Sequence, residues 1–173
     1  MEIVLRNAIF ADFNSIASIS IAAYQEYSTN LTAENWQKMQ QSLANVSQTA
    51  KAASFIVAEI ERKIVGAIAY YPPGKSNPKF FEINWASLRL LAVAPEYRRR
   101  GIGKLLTKAG IDRAKQDNAR GIGLYTSEAM TTAQKMYTSL GFQCDRELPS
   151  MLGLRYWLYL QPITNQLSKN LKV

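Results

Sequence analysis

The segment from residue 85 to residue 116 constrains the fold more than any other part of the sequence. Its first part, Trp85–Val93, is mostly apolar, which is typical of a central strand buried on both faces. Three consecutive arginines and two glycines follow within Arg98–Gly103, and the apolar residues after them recur at helical spacing to about Gln116. The pattern predicts a buried strand that turns into a helix through a basic, glycine-containing loop.

Apolar periodicity divides the rest of the sequence into further strands and helices. Strands are predicted at residues 3–5, 54–59, 64–71, 121–126, 142–146 and 156–161. Helices are predicted at residues 13–24 after an Asp12 N-cap, from about Thr32 to Val46, and at residues 133–140 before a terminating Gly141. This order differs from the alternation of dinucleotide-binding folds. It predicts an α+β fold, an α/β sandwich in which helices pack on a sheet.

A chain of 173 residues is long enough to form one domain with a sizeable core. We predict a single domain over residues 1–161 and a polar C-terminal tail over residues 162–173. Residues 72–84 contain three prolines and a glycine, so we expect a long loop between two strands there.

The absence of histidine excludes several kinds of active site. Ser-His-Asp catalysis, Cys-His catalysis and histidine-based zinc or iron sites all need that side chain, and we expect no metal. The single cysteine, Cys144, cannot form an internal disulfide and suits a reducing compartment. The sequence has neither a signal-peptide core nor a run of about 18 uncharged apolar residues. We therefore expect a cytoplasmic protein without a membrane partner.

The chain carries a formal net charge of +8, which favours anionic partners. The turn at Arg98–Gly103 combines guanidinium donors suited to phosphate with a helix N-terminus, whose first N–H groups have no intrahelical partner. Its glycines allow a ligand to approach the backbone closely. The spacing matches neither G-x-x-x-x-G-K-[ST] nor G-x-G-x-x-G. The residues alone thus predict an anion site, with a solvated basic helix start as the alternative.

Two motifs give this chain a resemblance to the GNAT superfamily of acetyl-CoA-dependent N-acyltransferases. The string V-x-P-E-x-R-R-x-G-I-G-x-x-L, from Val93 to Leu106, is similar to motif A of that family, whose core is Gln/Arg-x-x-Gly-x-Gly/Ala. The string A-x-x-x-Y-x-x-x-G-F, from Ala133 to Phe142, resembles motif B. The resemblance implies a mixed, mostly antiparallel central sheet flanked by helices, and acetyl-CoA as the co-substrate.

The resemblance also implies roles for individual residues. Backbone groups of Leu91–Val93 would pair with the pantetheine arm, and backbone N–H groups of residues 99–104 would hold the pyrophosphate. Tyr137 would lie beside the CoA sulfur. Met130 occupies the position where many members have an asparagine that contacts the pantetheine. The cofactor-binding residues predicted in this way are Leu91, Ala92, Val93, Arg98, Arg99, Arg100, Gly101, Ile102, Gly103 and Lys104.

Acetyl transfer to an amine needs a proton acceptor and, for the leaving thiolate, a proton donor. Tyr137 is the predicted donor, and its alternative role is that of a core tyrosine on the apolar side of its helix. The base is left open, because Ser87 occupies the strand position where many members have a glutamate. Glu82, Glu26 and Glu128 are candidates, and water is the alternative acceptor.

The predicted function is transfer of an acetyl group from acetyl-CoA to a primary amine of an unidentified small-molecule or peptide acceptor. The alternative is a non-catalytic, acyl-CoA-binding regulatory module. A nucleic-acid partner is not expected, because the densest basic cluster lies at the predicted cofactor turn and no nucleic-acid motif is present. Dimers are common in the family, so a homodimer is a further expectation. An aromatic-lined acceptor pocket is predicted from Tyr24, Tyr27, Trp36, Tyr70 and Tyr71.

Overall fold

A seven-stranded sheet forms the centre of the computed structural model, which describes residues 2–164. The strands are β1 (Val4–Asn7), β2 (Ser54–Ile60), β3 (Lys63–Tyr71), β4 (Trp85–Val93), β5 (Gly121–Ser127), β6 (Gln143–Met151) and β7 (Leu154–Pro162). Their order across the sheet is β1-β2-β3-β4-β5-β7-β6. Neighbouring strands are antiparallel except for the parallel pair β4 and β5. The predicted α+β fold with a mixed, mostly antiparallel sheet is confirmed.

Helices cover both faces of the sheet. They are α1 (Phe13–Tyr24), α2 (Ala33–Ala44), α3 (Val46–Thr49), α4 (Ile102–Gln116) and α5 (Thr131–Ser139), with short 3-10 turns at Phe10–Asp12, Gln25–Asn30 and Pro95–Tyr97. On one face, α1 and α3 pack against β2 and β3, where Ile16 and Val57 belong to one apolar cluster. On the other face α4 packs against β2, β3 and β4, where Leu106 and Leu88 belong to a second cluster.

Most predicted element boundaries agree with the structure to within about two residues, as sequence-based boundaries usually do at best. Thr32 caps α2 as expected, because its Oγ1 accepts a hydrogen bond from the Asn35 N–H at 3.2 Å. Strand β6 is the exception and continues to Met151, well past the predicted end at residue 146. Most of β6 is exposed, so the added residues carry no apolar pattern, and pairing with β7 holds them in the strand.

The last strand ends close to the boundary that the sequence predicts between domain and tail. Strand β7 ends at Pro162, where the sequence predicts the first residue of the tail. Residues 165–173, which make up most of the predicted tail, lie outside the described residues, so the division into domain and tail stays a prediction. Within residues 2–164, no helix has the length and apolar character needed to cross a membrane.

Asp12 is the N-cap residue of α1, as predicted, but its side chain forms no capping hydrogen bond with that helix. Its carboxylate accepts hydrogen bonds from the Arg6 guanidinium at 2.7 and 3.0 Å and from the Ile9 N–H at 2.8 Å. Arg6 also donates to Glu59 at 2.7 Å, so the cluster joins β1, β2 and the turn before α1. A guanidinium that binds a carboxylate through two bonds is a stronger partner than the N–H groups of a helix end. The Arg6 guanidinium holds the pKa of the Asp12 carboxyl below its usual range.

We expect Asp12→Asn to lower the free energy of unfolding by about 1–3 kcal/mol near neutral pH, because it weakens charge-assisted hydrogen bonds. The pKa of Asp12 is lower in the folded state than in the unfolded state. Its contribution is therefore present above the usual carboxyl pKa of about 3.9 and is lost as the pH falls through the folded value. Melting temperatures of the wild type and the variant should converge at the acidic end of a pH series.

The matched control for this prediction is Glu34→Gln. Glu34 forms an exposed ion pair with Lys38 one helical turn away, and such pairs contribute little to stability. Its melting temperature should follow that of the wild type at every pH. If the melting temperatures of the wild type and Asp12→Asn differ by the same amount throughout the acidic range, the assigned role of Asp12 is contradicted.

Candidate active site

β4 and β5 are paired over only a short distance and then separate. The paired residues are Trp85, Ala86 and Ser87 on β4, opposite residues 121–123 on β5. From Leu88 onward, the edge of β4 that faces β5 has no strand partner in the described part of the chain. Backbone groups along such an edge are available to an extended ligand that adds to the sheet.

A β-bulge in β4 changes which side chains face each side of the sheet. Leu90 and Leu91 together lie opposite Ile68 of β3, and Leu90 has a positive φ of 58°. Leu88, Leu91 and Val93 pack with the cluster on the α4 side, whereas Leu90 packs with the cluster on the α1 side. Regular alternation from Leu88 would have placed Leu90 on the α4 side. The bulge instead points Leu91 and Val93 toward α4.

The turn between β4 and α4 leaves backbone N–H groups without acceptors. Arg99 and Gly101 have positive φ angles of 61° and 76°, which bend the chain sharply. The N–H of Leu105 bonds to the Gly101 carbonyl, and the N–H groups of residues 102–104 have no backbone acceptor among the described residues. The first turn of α4 contains no acidic residue. Together with the helix dipole, these groups form a site suited to an anion.

The three consecutive arginines before this turn have different environments. Arg98 donates to the Ala23 carbonyl at 2.7 Å and forms an ion pair with Glu26 at 3.1 Å, so it joins the turn to the end of α1. Arg100 lies over the Tyr97 ring, with Cζ 5.1 Å from the ring centroid. Arg99 lines the cavity described next. Only part of the predicted cluster of guanidinium groups therefore faces a ligand site.

A cavity of about 640 Å³ lies between β4, the turn into α4, the start of α5 and the end of α1. Ala92 does not line it, because its buried side chain alternates with those of Leu91 and Val93 across the strand. Arg100 does not line it either. The other predicted cofactor-binding residues all do: Leu91, Val93, Arg98, Arg99, Gly101, Ile102, Gly103 and Lys104. The structure thus brings residues of both sequence motifs around one cavity, which we call the larger cavity.

Tyr137 lies on α5, lines the larger cavity and is buried, with 7% of its surface exposed. Its ring contacts Phe142 edge to face, with centroids 5.9 Å apart. No described residue forms a hydrogen bond with its hydroxyl group. Burial raises the pKa of Tyr137, and the nearby Tyr27 raises it further. The hydroxyl therefore keeps its proton at physiological pH, as a proton donor must.

The three candidate bases have different positions. Glu82 forms an ion pair with Arg120 at 3.5 Å, near the start of β4, and does not line the larger cavity. Glu128 accepts a hydrogen bond from the Arg155 N–H at 3.1 Å and does not line it either. Only Glu26 lines the larger cavity. Within residues 2–164, no group of three or more His, Cys, Asp or Glu side chains is placed to hold a metal ion.

A smaller cavity of about 220 Å³ lies on the other side of the gap between β4 and β5. It shares Tyr24 and Met130 with the larger cavity, so the two meet at these residues. Met130, which the GNAT resemblance places at the position of an asparagine in many members, is thus at the junction. The smaller cavity is lined by Tyr24, Met39, Ser42, Leu43, Arg89, Leu90, Tyr125, Met130, Met151, Leu152 and Tyr156.

The aromatic residues predicted to line an acceptor pocket are divided by the fold. Tyr24 and Tyr27 line the cavities, whereas Trp36, Tyr70 and Tyr71 line neither. The sequence analysis does not predict Tyr125 and Tyr156 as lining residues. Each lies within an apolar strand, and no local feature of the sequence indicates a cavity there. They come close to α1 and α2 only through the order of the strands in the sheet.

Comparison with known proteins gives a family and several relatives. The profile of the Acetyltransferase (GNAT) family matches residues 14–142. "Probable N-acetyltransferase camello" from Xenopus laevis is 33% identical over 89 residues, which are 51% of this chain and 38% of that protein. N-acetylaspartate synthetase from Xenopus tropicalis is 35% identical over 89 residues, which are 51% of this chain and 30% of that protein. The chain thus matches less than half the length of these curated relatives.

A solved structure of a GNAT family acetyltransferase from Brucella melitensis, in complex with acetyl-CoA, has the same fold. It aligns with a TM-score of 0.65 and 22% identity, over 95% of this chain and 90% of that chain. The family profile covers well over half of the sequence and includes both motifs completely. Profile and fold agree with the resemblance seen in the sequence. The chain belongs to the GNAT family of acetyltransferases.

Proposed function

We propose that this protein transfers the acetyl group of acetyl-CoA to a primary amine. The observation that carries the proposal is the meeting of two cavities at Tyr24 and Met130, where β4 leaves β5. The larger cavity contains the anion-binding turn, and the smaller one is lined mainly by apolar and aromatic side chains. Substrates bound in the two cavities would meet at the junction, and such positioning lowers the barrier to direct transfer.

The larger cavity fits acetyl-CoA in its chemistry. The N–H groups of residues 102–104 and the positive end of α4 suit the pyrophosphate. Arg99 and Lys104 line the same cavity and add positive charge. The unpaired edge of β4 at residues 91–93 offers backbone groups to the amides of the pantetheine arm, as a further strand would.

Residues that line the larger cavity supply the proton transfers that the reaction needs. The amine nitrogen forms a bond to the acetyl carbon, the C–S bond breaks, and Tyr137 Oη donates its proton to the departing sulfur. An unperturbed alkylamine has a pKa of about 10.4, so most of the acceptor is protonated at neutral pH and must lose a proton first. Water or Glu26, the candidate carboxylate that lines the larger cavity, accepts that proton.

Other properties predicted from the sequence lie beyond what the fold determines. The acceptor class, the homodimer, the cytoplasmic location and the expected lack of nucleic-acid and membrane partners all stay predictions.

Thiol release from acetyl-CoA, measured with a panel of primary amines and an amine-free control, tests the proposed function. We expect release that depends on amines of one chemical class. Release that is independent of the amine would indicate hydrolysis and contradict a transferase. No release with any amine, combined with a higher melting temperature in the presence of acetyl-CoA, would favour the non-catalytic, acyl-CoA-binding module.

A further inference from the structure

Arg89 brings a positive charge into the smaller cavity, and no acidic residue lines that cavity. In the described part of the chain, no carboxylate lies within salt-bridge distance of its guanidinium group, and no hydrogen bond from that group is present. Arg6, Arg98, Arg120 and Arg155, by contrast, each form an ion pair. A half-buried guanidinium without a counter-charge is costly unless a ligand supplies one.

The Arg89 guanidinium is held in place by Tyr125. Its Cζ lies 5.1 Å from the centroid of the Tyr125 ring, a cation–π distance that restrains the guanidinium group. Burial raises the pKa of Tyr24, Tyr125 and Tyr156, and the positive charge of Arg89 opposes this increase at all three residues. The charge therefore acts across the smaller cavity, up to Tyr24 at the junction with the larger one.

The rest of the smaller cavity is apolar or aromatic. Met39, Leu43, Leu90 and Met151 contribute apolar surface. The volume of about 220 Å³ is below the roughly 300–1,000 Å³ of pockets that enclose drug-sized ligands. The cavity thus suits a small molecule with one anionic group and a compact apolar part.

We propose that the acceptor is an amino acid with an apolar side chain, whose carboxylate is bound by Arg89. A guanidinium group binds a carboxylate through two parallel hydrogen bonds, which fixes the orientation of the bound molecule. The α-amine is one carbon away from the carboxylate and is directed toward Tyr24 and Met130. The apolar side chain occupies the surface formed by Met39 and Leu43. The inference rests on the proposed function and narrows its substrate class.

Pairs of acceptors that differ only at the carboxylate test the proposal. Leucine, methionine and phenylalanine are each compared with their amides, and leucine is also compared with 3-methylbutylamine, which lacks the carboxylate. Because an α-amino amide has a less basic amine, it has more of the reactive neutral form at a given pH. A preference for the free acid therefore cannot arise from amine basicity. We expect kcat/KM for the acids to exceed that for the amides about 10- to 100-fold, the range of one charge-assisted interaction.

Substitution of Arg89 shows whether that residue causes the preference. Arg89→Gln should lower kcat/KM for leucine about 10- to 100-fold but that for leucinamide by less than about threefold, while Arg89→Lys should retain part of the preference. The KM for acetyl-CoA should stay the same. Arg113→Gln is the control for loss of a positive charge, because Arg113 bonds to Asn7 and lines neither of the two cavities. It should not change the preference.

Ligand-observed NMR measures the binding of leucine and of leucinamide to the protein in the presence of CoA. This measurement separates the inference from the proposed function. Leucine binding that Arg89→Gln abolishes supports the carboxylate site even where no thiol is released, and then only the transferase proposal fails. Acetylation of amides and 3-methylbutylamine as efficient as that of the acids would overturn the inference and leave the transferase intact. An equal effect of Arg89→Gln on all acceptors, or no binding of any of the three amino acids, would also overturn it.

Discussion

Tyr137→Phe is expected to lower kcat about 100- to 1,000-fold, while the KM for acetyl-CoA changes by less than about threefold, because a positioned general acid contributes to the chemical step rather than to binding. The substitution removes a single oxygen and leaves the ring and its edge-to-face contact with Phe142 in place. The hydroxyl has no hydrogen-bond partner among residues 2–164, so its loss should not affect folding. Steady-state kinetics of the purified variant, with its melting temperature, check both expectations.

Two other tyrosines provide controls for this result. Tyr70 is buried on the α4 side of the sheet, and its hydroxyl donates to Asp117 at 2.7 Å. Tyr70→Phe should cost about 1 kcal/mol of stability and leave kcat unchanged. Tyr24 lines the junction of the two cavities and also carries a hydroxyl group, so it provides a test of a different donor. A large loss of kcat in Tyr24→Phe together with normal turnover in Tyr137→Phe would transfer the role to Tyr24.

The pH dependence of the rate follows from the direction in which the pKa of Tyr137 is shifted. Burial raises its pKa above the ordinary tyrosine value of about 10, so the hydroxyl is protonated throughout the neutral range. Deprotonation of this donor therefore lowers the rate only at a pH above that value. Deprotonation of the amine instead makes the rate rise with pH. A rate that falls between about pH 7 and 9 in the wild type but not in Tyr137→Phe would contradict the assignment.

The part of the site that is continuous in sequence could be predicted without the structure. Trp85–Val93 is a strand because its apolar run is buried on both faces, and its predicted limits agree with the observed ones. The glycines and the apolar spacing after them similarly define the turn and the helix that ends at Gln116. These features depend on backbone geometry and on periodicity within a few turns of chain, which the residue order contains.

The remaining features of the site depend on contacts between distant segments. Arg98 is predicted as a phosphate ligand, but its guanidinium bonds to the Ala23 carbonyl, which is 75 residues away in the chain. Glu82 precedes the site strand in sequence, yet it pairs with Arg120 rather than lining the cavity. No glycine or proline in the sequence indicates the bulge at Leu90. Such features arise from how strands pair and helices dock, which local patterns do not encode.

Gly103→Val is expected to raise the Kd for acetyl-CoA about 30- to 100-fold, which corresponds to roughly 2–3 kcal/mol. A Cβ atom at Gly103 would lie 3.6 Å from Met136 Sδ, 3.7 Å from Leu91 Cδ2 and 3.8 Å from Val93 Cγ2, which are ordinary van der Waals contacts. All three neighbours line the larger cavity, so the methyl groups of valine would occupy space beside the anion-binding turn. Gly103→Ala should change the Kd by less than about threefold, because its single methyl fits those contacts.

Stability measurements distinguish loss of the binding site from loss of the fold. Glycine is the poorest helix former apart from proline, so both Gly103 variants should be at least as stable as the wild type without ligand. Gly110, on the same helix, is the control for loss of stability without loss of binding. A Cβ there would collide with the Leu88 side chain. Gly110→Ala should cost about 1–3 kcal/mol of stability and leave the Kd unchanged. Titration calorimetry and thermal melts of the three variants give both quantities. Wild-type affinity in Gly103→Val would show that acetyl-CoA binds elsewhere, because a ligand held at this turn cannot share the space of the added methyl groups.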